Sequence, residues 1–474
     1  MILERSKTLS TKSARGALWM RGVLDWKLHA GQKVIEENYR KVLKKIFVLN
    51  CARRFGKTYW ACIKALECAL KCKNRHPRVK YASATRLDLE EFVIPCFDMI
   101  LEDCPPEIRP VFVKSRNKYV FNHNKAEIQL VGLDKRPDGG RGNYCDLYIF
   151  EEAGLINNLR YLYGSVVAPM TLRRRGARIV ILSTPPSTPA HPFQEFCQRA
   201  QAQNAYIELN IFQNPMLSDQ EIQEAHDECM DDSEWLREYM CQFVVDQTKA
   251  ICPEWQEEYM EEVQRPEWWQ FLDRYEAMDL GVKQDLTAIL FSWYEPLART
   301  LVIEDEADIN GPAMTTLGLI DLIRSKEKEL WPSGSEVYRR IADNNNPLLL
   351  QDLGSLHGIY FQSTSKDELH AMVNELRVFI KNGRLRVHPR CKKLLGCLRY
   401  AIWNNKRDKF DRSPLFGHFD HLAALVYLVR NLDQHRNPTP EMWNYRGMSE
   451  ERLFRRPTKK EPKNIAELKK MFNI

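Results

Sequence analysis

The strongest constraint on how this chain can fold is a change of pattern between residues 46 and 70. Ile46 to Leu49 is a short run of β-formers, as expected of a buried strand. From about Lys57, through "WACIKALECAL", apolar residues recur at three and four positions as Ile63, Leu66 and Leu70, which is helical spacing. The turn between them reads "CARRFGKT". A strand turning tightly into a helix presents free N–H groups and a positive dipole end, which suits an anion. There Gly56 lets the backbone approach closely, Lys57 can reach β- and γ-phosphates, and the Thr58 hydroxyl can sit on Mg²⁺. The full phosphate-loop pattern would put its first Gly at position 51, where this chain has Cys51. Taken alone, the triplet also reads as a basic turn with a helix cap.

The rest of the first half extends the pattern. "VKYASAT" (79–85), "AEIQLVGL" (126–133) and "ARIVILSTPP" (177–186) read as strands, and "LDLEEFVIPCFDMILEDC" as a helix. "CDLYIFEEAG" (145–154) is an apolar strand ending in two carboxylates, Glu151 and Glu152. ATP hydrolases use such a pair: the first acid holds Mg²⁺, and the second orients or deprotonates the attacking water. The usual first acid is Asp, and Glu151 is one methylene longer. Ser183 and Thr184 end another core strand, where they suit sensing of a γ-phosphate. Several strands carrying active residues at their C-terminal ends imply a doubly wound α/β sheet. Together these features point to ATP.

The chain has 474 residues, enough for two or three domains, and its composition supports real cores. No run of 18 apolar residues exists, so no membrane span is expected, and the N-terminal stretch has no apolar signal core. Thirteen cysteines without a C-x-x-C pair suggest buried thiols in a reducing cytosol, not a zinc site. The net charge of +7 is compatible with a polyanion partner. "LRRRGAR" at 172–178 and the basic C-terminal stretch are the densest clusters, each equally readable as a solvated face.

Around residues 245–272 the pattern becomes irregular and rich in Trp, Glu and Pro, which marks a boundary. Beyond it, "RYEAMDLGVKQDLTAILFSWYEPLARTLVIEDEADI" reads as a three-stranded meander with turns at 281–284 and 295–299. Asp279 stands inside the first apolar strand, a costly position unless it is paired or binds metal. "VYRRIAD" is a strand ending at Asp343, "GIYFQST" another, and "KDELHAMVNELRVFIKNG" a helix closed by Gly383. The last helix, "FGHFDHLAALVYLVRNL", has Asp420 at the start of its apolar face. Three acids at the edges of core elements can converge on two divalent ions about 4 Å apart, an arrangement that cleaves phosphodiesters. Mg²⁺ and Mn²⁺ both favour such oxygen ligands.

An ATPase of this form followed by a three-acid nuclease resembles the large terminase subunit of tailed bacteriophages, over roughly residues 30–435. "HAGQKVIEENY" supplies Gln32 where that family has an adenine-contacting Gln, and "ARRFGKT" is similar to its loops, which often lack the first Gly and carry arginines. "GGRGNYCDLYIFEEA" looks like the family's Arg-Gly segment, "LSTPP" like its coupling motif, and "NPMLS" and "EYMCQF" like its linker.

The resemblance implies a P-loop ATPase with a mostly parallel sheet at 31–210, after an arm at 1–30. It also implies a linker at 211–270, a ribonuclease H-like α/β nuclease at 271–435 and a basic tail at 436–474. Nucleotide contacts then fall to Gln32, Arg53, Arg54, Phe55, Gly56, Lys57, Thr58, Glu151, Ser183 and Thr184. Glu152 is the catalytic acid, with Thr58 and Glu151 on Mg²⁺. The arginine finger is Arg141 acting on a neighbouring subunit, or Arg54 acting within its own. Asp279, Asp343 and Asp420 form the nuclease metal site, with Glu304 and Asp305 competing for Asp343's place. The implied partners are double-stranded DNA, a portal protein, a small terminase subunit and further copies in a ring. The setting is the host cytoplasm and, transiently, the portal vertex. The tail docks on the portal, contacts DNA, or is a disordered end. Two rivals are a helicase-like ATPase whose second half only grips nucleic acid, and a non-enzymatic basic scaffold.

Overall fold

A computed structural model describes residues 14–134, 144–156, 158–281, 286–310, 315–332, 336–364, 368–413 and 416–440. In it the apolar run after Lys45 is a buried strand, β1 (Ile46–Cys51), and the helix that follows is α2 (Lys57–Lys71), preceded by α1 (Ala30–Lys41). The other strands of this first sheet are β2 (Arg78–Ser83), β3 (Val111–Val113), β4 (Lys118–Val120), β5 (Glu127–Gly132), β6 (Leu147–Phe150), β7 (Arg178–Ser183) and β8 (Tyr206–Leu209). Their spatial order is β3-β4-β5-β2-β6-β7-β1-β8. From β5 to β8 every pairing is parallel, and β3 and β4 add an antiparallel edge. Central parallel strands are buried on both faces, which is why β1, β6 and β7 read as almost unbroken apolar runs. The loop-bearing β1 and the acid-bearing β6 are not neighbours, because β7 lies between them.

Two layers hold α2 on this sheet. Phe47 and Trp60 are buried with Tyr39 wedged edge-on against both rings, at 5.3 and 5.4 Å. Beneath them Lys64 pairs with Glu36 at 2.6 Å, and Trp60 Nε1 donates to the same carboxylate at 3.1 Å. A buried charge is tolerated because it is paired and hydrogen-bonded. Three features differ from the sequence reading. The helix over 87–104 is broken: a π-helical stretch at Leu89–Val93 precedes α3 (Ile94–Leu101), whose first turn contains Pro95. Proline has no N–H for the i→i−4 ladder, so the helix restarts there. Strands β3 and β4 are three residues each and β8 is half-exposed, too short or too mixed to show a period.

Contacts divide the chain into two units, Met1–Pro253 with Gly396–Leu422, and Glu254–Leu395 with the chain from Ala423 onward. The first unit therefore recovers a segment that lies inside the predicted 271–435 nuclease region. Its anchors are backbone bonds from Ile251 N to Ala401 O (3.0 Å) and from Trp403 N to Lys249 O (2.8 Å). Ser413 Oγ also donates to Ala190 O at 3.0 Å. The 211–253 stretch contributes α5 (Asp219–Asp227) and α6 (Asp232–Glu238), after α4 (Pro192–Gln201). Ile211, Ile222, Trp235 and Met240 form a small core there against Ala52 of the loop.

The second unit has β9 (Arg274–Asp279), β10 (Leu286–Glu295) and β11 (Thr300–Asn310), the antiparallel meander predicted from sequence. β12 (Arg339–Ala342) pairs parallel with β9, β13 (Gln362–Ser363) with β12, and β14 (Leu385–Val387) with β11. Three antiparallel strands continued by two parallel ones make the mixed sheet of an α/β unit, with β14 added at the far edge. Its helices are α7 (Thr316–Leu330), α8 (Pro347–His357) and α9 (Leu369–Lys381), while α10 (Lys392–Tyr400) and α11 (Asp420–Arg430) each cross the division. Gly383, at φ +66°, follows α9 as predicted. "GIYFQST" contributes only the two residues of β13.

Ile181 is fully buried at the middle of β7, facing Phe150 of β6 and Val48 of β1 in register. Ile181→Ala is expected to cost the first unit about 2–5 kcal/mol, read as a lower urea midpoint and faster exchange of β7 amides. Val378→Ala, on the half-exposed face of α9, is expected to stay within about 0.5 kcal/mol of wild type.

Candidate functional site

The loop between β1 and α2 is held from outside at its last three carbonyls. Gly56 O accepts from Gln32 Nε2 at 2.9 Å, Phe55 O lies 3.2 Å from His29 Nε2, and Arg54 O accepts from Asn214 Nδ2 at 3.3 Å. Arg53 N donates to Glu238 O at 2.8 Å. With its carbonyls turned outward to these partners, the loop adopts left-handed conformations at Arg54 (φ 62°) and Gly56 (φ 86°). At Gly56 the demand is steric as well, since a Cβ there would stand 2.5 Å from Gln32 Nε2. Gln32 is buried and uses both ends of its carboxamide within the protein, because its Oε1 also accepts from His29 N at 3.1 Å. Arg53 and Arg54 are exposed, and Phe55 is buried against Gly31.

The side chains at the start of α2 meet the two acids after β6. Lys57 is buried and its Nζ lies 2.9 Å from Glu152 Oε1. Thr58 Oγ1 donates to Glu151 Oε1 at 2.6 Å. Glu151 also accepts from Tyr81 Oη at 2.6 Å. Glu152 takes a left-handed backbone (φ 46°) and accepts from Ser183 Oγ at 3.2 Å. Ser183 Oγ in turn accepts from Gly154 N at 2.9 Å. A Cβ on Gly154 would meet Thr184 O at 2.8 Å, so the turn after the acids packs directly on the end of β7. The predicted residues Lys57, Thr58, Glu151, Glu152 and Ser183 are thus one hydrogen-bonded set, with the Thr184 carbonyl packed behind it. Arg141 lies outside the described residues.

Electrostatics separates the two acids. Burial pushes the Glu151 carboxyl up, to about 7, and the neighbouring charge of Glu152 adds to this against the bonds from Thr58 and Tyr81. Burial opposes the charge of Lys57, but the attraction of Glu152 outweighs it and the ammonium is held above its ordinary range. A carboxyl poised near neutrality, a fixed ammonium, a hydroxyl and a second, less buried carboxylate can together bind a phosphate–metal group and move a proton. Tyr81 was not singled out from sequence. It sits mid-strand between Lys80 and Ala82, and only the β2–β6 pairing, with Glu151 N bonded to Ala82 O at 2.8 Å, brings it to the acids.

In the second unit, Asp279 is the last residue of β9 and Asp343 directly follows β12. The parallel register sets Ala342 against Met278, so the two acids stand at adjacent strand ends. Asp343 is fully buried and its Oδ1 accepts from Leu280 N at 3.3 Å. Across β10, the residue in line with Asp279 is Asp308. Glu304 and Asp305 lie further down β11, where the register shifts opposite Phe291 and Ser292. Both are engaged: Glu304 by Arg265 and by Trp331 Nε1 (3.2 Å), Asp305 by Lys326 (2.8 Å). Of the rivals for a place beside Asp279, the structure puts Asp343 there. Asp420, which the contacts assign to the first unit, opens α11, buried, with its Oδ2 2.7 Å from where a Cβ on Gly417 would be. Among the described residues, no three His, Cys, Asp or Glu side chains are grouped to hold a metal ion by themselves.

Neither a protein-family profile nor a curated protein matches this chain. Solved structures do. The large terminase of bacteriophage HK97 matches over 85% of this chain and 94% of its own, at 14% identity and a TM-score of 0.51. The large terminase of a thermophilic bacteriophage matches over 85% and 98%, at 16% identity and a TM-score of 0.40. The nuclease domain of the bacteriophage SPP1 large terminase, solved with Mn bound, matches over 36% and 96%, at 16% identity and a TM-score of 0.28. The likeness to the HK97 protein shows a shared two-domain α/β fold.

A carboxyl whose pKa is raised on folding lowers stability as pH climbs from its ordinary value of 4.5 towards its raised value, because the unfolded chain gives up the proton first. Glu151→Gln removes that loss. The variant is expected to melt above wild type at pH 8, with the gap closing as pH falls towards 4.5. Melting scans across pH check this, and a gap that widens in acid would contradict the burial of Glu151.

Proposed function

We propose that this chain is a viral genome-packaging motor that hydrolyses ATP to translocate double-stranded DNA and cuts concatemeric DNA with a metal-dependent endonuclease. The observation that carries the first half is the bonded set Lys57–Glu152 and Thr58–Glu151 at the C-terminal ends of β1 and β6, flanked by Ser183 of β7. Open α/β sheets bind ligands at that end of their strands. The site suits a nucleotide triphosphate: the left-handed backbone at Gly56 turns the chain into α2, which offers its N-terminal N–H groups. Lys57 would hold the β- and γ-phosphates, and Thr58 and Glu151 would hold Mg²⁺, which neutralises charge developing on the phosphates. Lys57 would exchange Glu152 for phosphate, leaving Glu152 to orient the attacking water and accept its proton. Ser183 already bonds Glu152, so a change at this carboxylate is felt at the end of β7. Gln32 is held by Gly56 O of the loop and by His29 N at the start of α1, so it would read adenine with its second Nε2 hydrogen and second Oε1 lone pair.

The nuclease half rests on Asp279 and Asp343 at neighbouring strand ends. Their oxygen-only donor set fits Mg²⁺ or Mn²⁺. When bound, such ions activate water and stabilise the leaving oxygen. The motor would work as a ring of this chain at a portal protein, with a small terminase subunit delivering DNA, in the host cytoplasm. Arg141 acting across subunits, or Arg54 within one, would stabilise the transition state. The resemblance of "ARRFGKT" and "GGRGNYCDLYIFEEA" to phage large terminases supports this reading.

Lys57→Ala is expected to abolish ATP hydrolysis while leaving Mn²⁺-dependent plasmid cutting intact. Asp279→Ala and Asp343→Ala are expected to do the reverse. Loss of both activities in folded single variants would refute the assignment of separate sites. Wild-type protein that hydrolyses ATP but never cuts would reduce the reading to a helicase-like ATPase.

A further inference from the structure

The basic motif "LRRRGAR" is not absorbed by either site. It leads into β7, at the opposite end of the first sheet from the nucleotide loop. Two other basic stretches enter the sheet at the same end: "KVLKK" (41–45) before β1 and "KCKNRHPR" (71–78) before β2. Together the three loops hold eleven Lys and Arg and no Asp or Glu. They are joined edge to edge. Asn74 Nδ2 donates to Arg175 O at 3.1 Å and Arg174 donates to Arg75 O at 3.2 Å, while Ile179 N bonds Lys45 O at 2.8 Å.

Some of these cations are structural. Arg174 clamps the buried Asp146 at 2.7 Å, and Arg178 lies on the Tyr39 ring. Six are not: Lys41, Lys44, Lys73, Arg75, Arg173 and Arg175 are exposed, and none is in an ion pair among the described residues. A row of such like charges costs free energy in self-repulsion, which a polyanion would relieve.

We infer that this edge, where the parallel strands of the first unit begin, is a binding surface for the phosphate backbone of double-stranded DNA. The inference rests on DNA being the chain's substrate and adds where the first unit would grip it. β2, β6, β7 and β1 are consecutive, so the loops span three strand spacings, roughly 14 Å. A duplex presents about eight phosphates over that length, comparable in number to the six exposed cations. The flexible Lys and Arg stems point to backbone contact without base readout. Lying at the far end of β1 and β7, roughly 20 Å from their other ends, the surface leaves the nucleotide loop free.

The test uses the full chain and a fluorescein-labelled random-sequence DNA duplex in chelator, with anisotropy measured across a salt series. It compares wild type with Lys73→Glu/Arg75→Glu/Arg173→Glu/Arg175→Glu and with the matching Gln variant. Acetylation footprinting of wild type, with and without the duplex, gives an independent readout. The inference expects the Glu variant to bind about tenfold or more weakly. Its slope of log affinity against log salt should be shallower by about 0.9 for each phosphate it no longer neutralises. The Gln variant should fall between, basal ATP hydrolysis should be unchanged, and Lys41, Lys44 and Lys73 of wild type should be protected by DNA. If wild type binds but the variants bind equally and these lysines stay reactive, the surface is wrong while the DNA reading stands. Exposed Leu43 and Leu172 would then indicate an acidic protein partner. If wild type fails to bind the duplex even at low salt, the motor reading falls and this inference with it. Should the Glu variant misfold, the wild-type footprint decides alone.

Discussion

Two adjacent carboxylates at the buried end of a strand repel each other, and much of the first unit is arranged around relieving that repulsion. Glu151 and Glu152 are satisfied by groups from three other elements: Thr58 and Lys57 from α2, Tyr81 from β2 and Ser183 from β7. None of these bonds is local in sequence. Each demands that its strand or helix sit in the right order and register, so the acids act as a geometric check on the whole sheet. Leaving a buried carboxylate without its partners costs several kcal/mol, which makes misregistered alternatives poor competitors.

The same bonds explain why the loop is pre-shaped. Its carbonyls are engaged by Gln32, His29 and Asn214, while Lys57 and Thr58 are held by the acids. In the proposed reading, a phosphate would replace Glu152 on Lys57 and would not have to order a floppy turn. The cost of binding is then exchange, which is smaller than immobilisation. In the second unit a simpler version of the principle operates. Asp343 is fully buried where β12 ends, and the Leu280 amide beside Asp279 bonds it. Adjacent parallel strand ends force the two acids together.

Sheet polarity also divides the first unit's chemistry. Carboxylates, hydroxyls, Lys57 and the exposed Arg53 and Arg54 gather where parallel strands end, and a second set of exposed cations, without carboxylates in its three loops, gathers where they begin. Loops at the two ends of a parallel sheet are separated by the full strand length, so charge of one kind at one end perturbs the other little.

By itself the sequence determined the two-part α/β character, the strand–loop–helix around Lys57, the acid-terminated strand at Glu151 and the meander containing Asp279. Those features are written in local periodicity, in Gly placement and in apolar strands that end abruptly in charge. It could not choose between Asp343 and Glu304 or Asp305, because all follow or interrupt apolar runs, and only pairing across β9 and β12 separates them. Tyr81 was hidden for the same reason, since a strand's period says which face a residue occupies but not which strand lies beside it. Gln32 was legible as a conspicuous polar residue at a helix start, yet its bonds to the loop were not. The basic edge needed the fold most, because its three loops are far apart in the chain and meet only where β1, β2 and β7 enter one sheet. Local patterns decide element type through burial of apolar surface. Strand order and register come from long-range hydrogen bonds and packing, and they alone decided which charges share a site.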